Sequence, residues 1–120
     1  MHWIFVYGTL MRGHCRHPGL AGETFVREAQ TAPLYRLVTC GTYPGLLAPS
    51  TGGKSIFGEL WKVSDAGRSR LDEIEGVADE LFVRRPIQIL EAPPGVVVEA
   101  YFFGGDISGM PDCGVRWEGE

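Results

Sequence analysis

Apolar residues open the chain in an unbroken run, Trp3-Ile4-Phe5-Val6-Tyr7, which stops at Gly8-Thr9 before Leu10. Five successive aromatic or β-branched side chains predict a buried strand, and Gly8 lets the backbone turn or lie close to another group. From Glu23 to Leu47 the pattern alternates loosely, with Pro33 interrupting it, so two short strands or one bent strand are expected. Thr42-Tyr43-Pro44-Gly45-Leu46 reads as a tight loop, and Pro49 to Gly53 as a further turn. Ser55 to Val63 alternates Ile56, Gly58, Leu60 and Lys62 against Phe57, Glu59, Trp61 and Val63, as a strand does. Helical spacing follows over Asp65 to Glu75, with Ser64 as N-cap and Gly76 just past the end. Leu81 to Leu90 and Val96 to Phe103 then predict an antiparallel hairpin about the turn Glu91-Ala92-Pro93-Pro94-Gly95. The last stretch, 104 to 120, has no period and reads as a tail anchored by Trp117.

This order of short strands and one convincing helix predicts an α+β fold in a single domain, 1–120. A chain of 120 residues with 44% hydrophobic content is long enough to bury a core. Its 17 glycines and 8 prolines fit strands and turns better than a helix bundle. The net charge of −4, with no Lys/Arg run, provides no electrostatic reason to bind nucleic acid or an acidic membrane. Three cysteines, Cys15, Cys40 and Cys113, are an odd number without an export signal, which favours free thiols in a reducing compartment and a cytoplasmic location. No stretch approaches the ~18 apolar residues of a membrane span.

Three places carry candidate chemistry. Where the first strand ends, the N–H groups of Gly8, Thr9 and Leu10 lose their ladder partners and can form a concave nest for a carboxylate, although an ordinary strand and glycine turn has the same pattern. His14-Cys15-Arg16-His17 makes a cationic rim, but the ligands are too crowded and too few for a tetrahedral metal shell, so no metal is expected. The third place is the helix end. With about 100° per residue, Gly67, Leu71 and Ile74 share one stripe, Asp72 and Glu73 swing toward solvent, and Glu75 falls only about 40° from Leu71. A carboxylate is thereby aimed along the apolar side. Burial, the negative end of the helix dipole and the acidic neighbours Asp72, Glu73, Asp79 and Glu80 all push its pKa up, which suits a general base. An acidic, solvated helix end that brushes the core has the same spacing.

Taken together, Phe5-Val6-Tyr7-Gly8-Thr9-Leu10, Gly41-Thr42-Tyr43-Pro44-Gly45-Leu46, Gly58-Glu59-Leu60 and Leu71-Asp72-Glu73-Ile74-Glu75-Gly76 resemble the γ-glutamylcyclotransferase-like family, which includes the γ-glutamylamine cyclotransferases and AIG2-like proteins. The resemblance implies a closed or nearly closed small mixed β-barrel with one main helix and short outer helices. It implies that Tyr7, Gly8, Thr9 and Leu10 bind the α-carboxylate of a γ-glutamyl group, that Tyr43 lines the pocket, and that Glu75 is the general acid/base. The implied reaction cyclises a small-molecule γ-glutamyl amine or amino acid to 5-oxoproline, without a cofactor. One departure stands out: where the family often has Tyr-x-Arg after the helix, this chain has Phe82-Val83-Arg84, which removes a hydroxyl.

The residues leave other readings open. A non-catalytic module would keep the carboxylate nest without needing a basic Glu75, and a γ-glutamyl hydrolase or acyltransferase on the same scaffold would release glutamate or an acyl product. A thiol nucleophile at Cys15, Cys40 or Cys113 is the weakest, since only Cys15 has flanking histidines and none has an evident His-plus-acid setting. Neither the leaving group nor the oligomeric state is written in the motifs.

Overall fold

The computed structural model describes residues 1–39 and 41–119. The opening run forms β1 (His2–Val6), the central strand of a five-stranded sheet. The other members are β2 (Thr24–Gln30), β5 (Phe57–Val63), β6 (Phe82–Pro86) and β7 (Val98–Phe103), in the order β2-β5-β1-β7-β6. Pairing is antiparallel except between β1 and β7, which run parallel. A separate two-stranded ribbon joins β3 (Arg36–Thr39) to β4 (Pro44–Leu47).

β1 reads as continuously apolar because both of its faces are covered. Ile4 and Val6 pack with Leu71 of the helix α1 (Asp65–Ile74), together with Leu20, Trp61 and Phe82. Phe5 and Tyr7 face the other way, into a cluster with Leu37 and Leu46 of the ribbon and with Leu60 and Phe102. The tail is held down: Cys113 N–H donates to Leu37 O, Phe57 N–H donates to Val115 O, and Trp117 is buried.

The closed or nearly closed barrel is not formed, and the fold is an open α+β arrangement. The sheet ends at two edges, β2 and β6, which do not pair with each other. Closure is interrupted at Pro86, which has no N–H to extend the ladder, and among the described residues the link beyond it is an isolated bridge of Thr31 to Ile89, with Ala32 N–H donating to Gln88 O and Leu90 N–H to Gln30 O. The β3–β4 ribbon and Ile87, Ile89 and Val98 cover the face that a barrel would have enclosed. The outer helices are a single 3-10 turn at each of two places, His17–Leu20 and Val77–Asp79.

Two local expectations also change. The region 23–47 holds three strands rather than two, and Pro44-Gly45 lies in β4 rather than in a turn, since a proline at the first residue of a strand lacks only an N–H that the edge does not need. The expected strand 81–90 stops at Pro86, so a long connection, not a tight turn at 91–95, joins β6 to β7.

Candidate active site

The helix that carries Glu75 is fixed at both ends. Ser64 Oγ accepts from Gly67 N–H at 3.0 Å, and Glu23 in turn accepts from the Ser64 N–H at 2.8 Å. At the other end Gly76 takes φ 65°, ψ 38°, the left-handed geometry that favours glycine, and its carbonyl accepts from Leu81 N–H. Glu75 is therefore delivered at the last turn, facing inward. It is 8% exposed.

One narrow cleft takes in every residue expected at the site: Tyr7, Gly8, Thr9, Leu10, Tyr43 and Glu75 all line it. Gly8, Thr9 and Leu10 are buried. Among the described residues, no acceptor is found for their three N–H groups, while the carbonyls of Gly8 and Thr9 are used by Met11 and Arg16 N–H. These three buried amides are therefore unpaired among the described residues. Gly8 is required by space, since a Cβ there would lie 2.6 Å from Pro44 Cγ in the facing wall. The Tyr7 hydroxyl donates to Tyr101 O at 2.5 Å, which ties β1 to β7 at the cleft floor. The cleft is nearly filled by its own walls, with about 20 Å³ of open volume. A roomier groove of about 630 Å³ near Arg27, Leu90 and Arg116 lacks this convergence, because its one buried carboxylate, Glu59, is already paired.

Electrostatics distinguish Glu75 from its neighbours. Burial raises its pKa from 4.5 to about 7, against a smaller lowering by Arg16. Among the described residues no hydrogen bond reaches its carboxylate. One expectation needs correction here. The acidic neighbours are not the cause: Glu73, Asp79 and Glu80 are exposed, and Asp72 is engaged elsewhere. The cationic rim reaches the site through Arg16, which lines the cleft.

Sequence reasoning missed the cluster one helical turn back. Asp72, expected in solvent, accepts from the Tyr101 hydroxyl at 2.7 Å and from Arg84, while Glu99 lies 3.5 Å from Arg84 Nε. Burial works against the Asp72 carboxylate, but the hydrogen bonds from Arg84 and Tyr101 outweigh it and hold its pKa below the usual range. Burial and the bond to Asp72 push the Tyr101 hydroxyl up. Phe82 packs its ring 5.9 Å from Tyr43 and 5.5 Å from Phe103. The arginine of Phe82-Val83-Arg84 was the available signal for this cluster; its partners lie 12 and more residues away in sequence.

Of the two rim histidines, His14 keeps a buried Nδ1 with no partner among the described residues, whereas His17 is engaged. His17 Nδ1 donates to Leu10 O at 3.1 Å, and its ring rests 5.5 Å from that of Trp61. Cys15 is exposed and Cys113 half-buried, and neither lines the cleft. Cys40 lies outside the described residues.

The family model for γ-glutamyl cyclotransferase, AIG2-like, matches residues 4–115, which includes the whole cleft. The chain belongs to this family. A provisionally named γ-glutamylcyclotransferase of Arabidopsis thaliana is 38% identical over 121 residues, covering 82% of this chain and 64% of the relative. γ-Glutamylaminecyclotransferase A of Danio rerio is 33% identical, over 72% of this chain and 57% of its own length. Among solved structures, an AIG2-like protein of Mus musculus superposes with a TM-score of 0.71 at 29% identity, covering 88% of this chain and 77% of that one. The uropathogenic E. coli-specific protein c4763 superposes with a TM-score of 0.76 at 25% identity, over 93% and 87% of the two chains. The chain spans 49–66% of the length of the curated relatives it matches. Among the described residues no helix is long and apolar enough to cross a membrane.

Proposed function

We propose that this chain is a γ-glutamyl cyclotransferase, with Glu75 as general acid/base and the N–H groups of Gly8, Thr9 and Leu10 as the seat of the substrate's α-carboxylate. One observation carries the reading: an unpaired buried carboxylate with a pKa of about 7 shares a cleft with three unsatisfied amides. The relatives named for γ-glutamyl amines and for γ-glutamyl-butirosin differ in leaving group but share the γ-glutamyl head. Once the walls of the cleft part, such a head would meet the unpaired amides with its α-carboxylate and Glu75 with its amine.

In this mechanism the α-amine attacks its own γ-carbonyl carbon. The α-ammonium first gives one proton to become the nucleophile; a new C–N bond then closes the five-membered ring, the bond from the γ-carbon to the leaving nitrogen breaks, a second proton passes from the attacking to the leaving nitrogen by way of Glu75, and the released amine takes up the other. Because both reacting groups belong to one molecule, the protein's work is to hold it curled and to move the proton. A carboxylate at 4.5 would be ~3.5 units too weak to accept from an α-amine near 8, a gap of about 5 kcal/mol, whereas at about 7 the gap is ~1 unit. The desolvation that raises Glu75 thus brings it into the working range. Tyr43 and Tyr7 complete the walls around the head group.

The test is incubation with a panel of γ-glutamyl amides, following products by mass spectrometry with Glu75→Gln as control. The parent protein is expected to yield 5-oxoproline and the variant almost none. Release of free glutamate instead would mark a hydrolase, and binding without product would mark a carboxylate-binding module.

A further inference from the structure

Arg16 is the cation that lines the cleft, and it sits differently from the amides. Its backbone is anchored to the nest loop, with its N–H donating to Thr9 O at 2.8 Å and its carbonyl accepting from Gly19 N–H at 2.9 Å. The side chain is exposed, and its guanidinium carbon lies 5.8 Å from the centre of the Tyr43 ring. Five of the other eight arginines are paired with acids, Arg12 with Glu59, Arg36 with Asp112, Arg68 with Glu99, Arg70 with Glu23 and Arg84 with Asp72, while Arg27 donates to backbone carbonyls and Arg116 lies over the Phe57 ring, both away from this cleft. Among the described residues Arg16 has no carboxylate within 4.0 Å.

We propose that Arg16 selects substrates whose leaving amine carries a carboxylate, so that this chain favours γ-glutamyl amino acids over neutral γ-glutamyl amines. The inference rests on the cyclotransferase reading above and goes further, by assigning the other half of the substrate. Within the cleft Gly8, Thr9 and Leu10 are buried and Arg16 is exposed, which gives it a buried side and an open side. The nest amides, on the buried side, receive the glutamyl carboxylate, and the departing group must face the mouth through which it leaves. In an α-amino acid the carboxylate is two bonds from the nitrogen that Glu75 protonates, so its charge falls at the rim where the guanidinium waits. The field of Arg16 reaches this region, since it opposes the upward shift of Glu75. A planar guanidinium offers a carboxylate two parallel donors, and here no internal acid competes for them.

The experiment compares kcat/KM for γ-glutamyl-alanine with that for γ-glutamyl-ethylamide, each enzyme being assayed on both at one pH. Taking the ratio cancels any change that a substitution makes in Glu75 itself. The parent is expected to prefer γ-glutamyl-alanine, and Arg16→Gln to lower that preference roughly three- to tenfold, the size of a charge-assisted contact partly open to water. Arg16→Lys should keep part of the preference, Arg16→Glu should push the ratio below that of Arg16→Gln, and added salt should reduce the parent's ratio. An unchanged ratio in Arg16→Gln overturns the proposal. An equal loss on both substrates overturns it too, by assigning Arg16 to the glutamyl end that they share. If the parent forms 5-oxoproline from neither compound, the cyclotransferase reading is what fails, and the inference falls with it.

Discussion

Two glutamates are buried to nearly the same degree, Glu59 at 6% exposure and Glu75 at 8%, yet their surroundings are opposite. Glu59 accepts from Arg12 N–H at 3.1 Å, Arg12 Nε at 3.0 Å and Trp61 Nε1 at 3.1 Å, and so pins the loop after β1 to β5. Glu75 has no such donors and faces a cleft. Burial alone therefore does not make a base. A buried acid with its lone pairs filled is a structural tie, whereas one left unpaired beside unsatisfied amides is held ready to exchange a proton.

The largest effect that tests this contrast comes from exchanging each acid for its amide. Glu75→Gln is expected to lower turnover by roughly 10²–10⁴-fold, while Glu59→Gln changes kcat/KM by less than about tenfold; steady-state assays of 5-oxoproline formation decide it. Comparable losses from both would remove the distinction.

Stability against pH gives the next largest. Because the folded pKa of Glu75 is raised from 4.5 to about 7, the folded protein holds more protons than the unfolded chain between those values. Its stabilising contribution is present below 4.5 and is lost as pH rises through about 7. The full shift corresponds to about 3 kcal/mol. Thermal melts should accordingly show Glu75→Gln matching the parent near pH 4.5 and exceeding it by several degrees above pH 7. A gap that does not widen with pH would mean that the carboxylate is solvated.

Glu59→Gln should cost about 1–2 kcal/mol in urea titrations, since it loses a charged partner but keeps an acceptor for Trp61, and Arg12 is half exposed to water. The smallest effect is assigned to Tyr101→Phe, about 1 kcal/mol in stability. Its informative readout is the acidic limb of the pH–rate profile. If the tie from Asp72 to β7 holds Glu75 in its dry position, that limb moves down from about 7 toward 4.5 in the variant, which a general loss of stability would not cause.

The same contrast shows how far the residues alone reveal the molecule. β1, β5, the capped helix and the β6–β7 pairing are legible in periodicity, Ser64 and Gly76, because local signals determine local structure. The inward aim of Glu75 is legible too, being a matter of angle on one helix. Helix geometry says where a side chain points and is silent on what waits there. Angle alone therefore sets Asp72 toward solvent, although Arg84 and Tyr101, 12 and 29 residues onward, receive it. Pro44-Gly45 misleads for a related reason: its turn chemistry belongs to a short edge strand that packs its glycine against Phe103. Closure of the sheet depends on the path of the chain beyond Pro86, which no local pattern encodes.

That open sheet leaves two borders, and each discourages a neighbouring molecule from adding a strand. β2 slips register between Phe25 and Arg27, which bends its rim, and its outer residues include Arg27 and Glu28. β6 finishes in Arg84-Arg85-Pro86, charged and then unable to donate. A fibril needs a flat, neutral, continuous template, and neither rim supplies one, so the missing seam of the barrel carries little hazard of self-association through its strands.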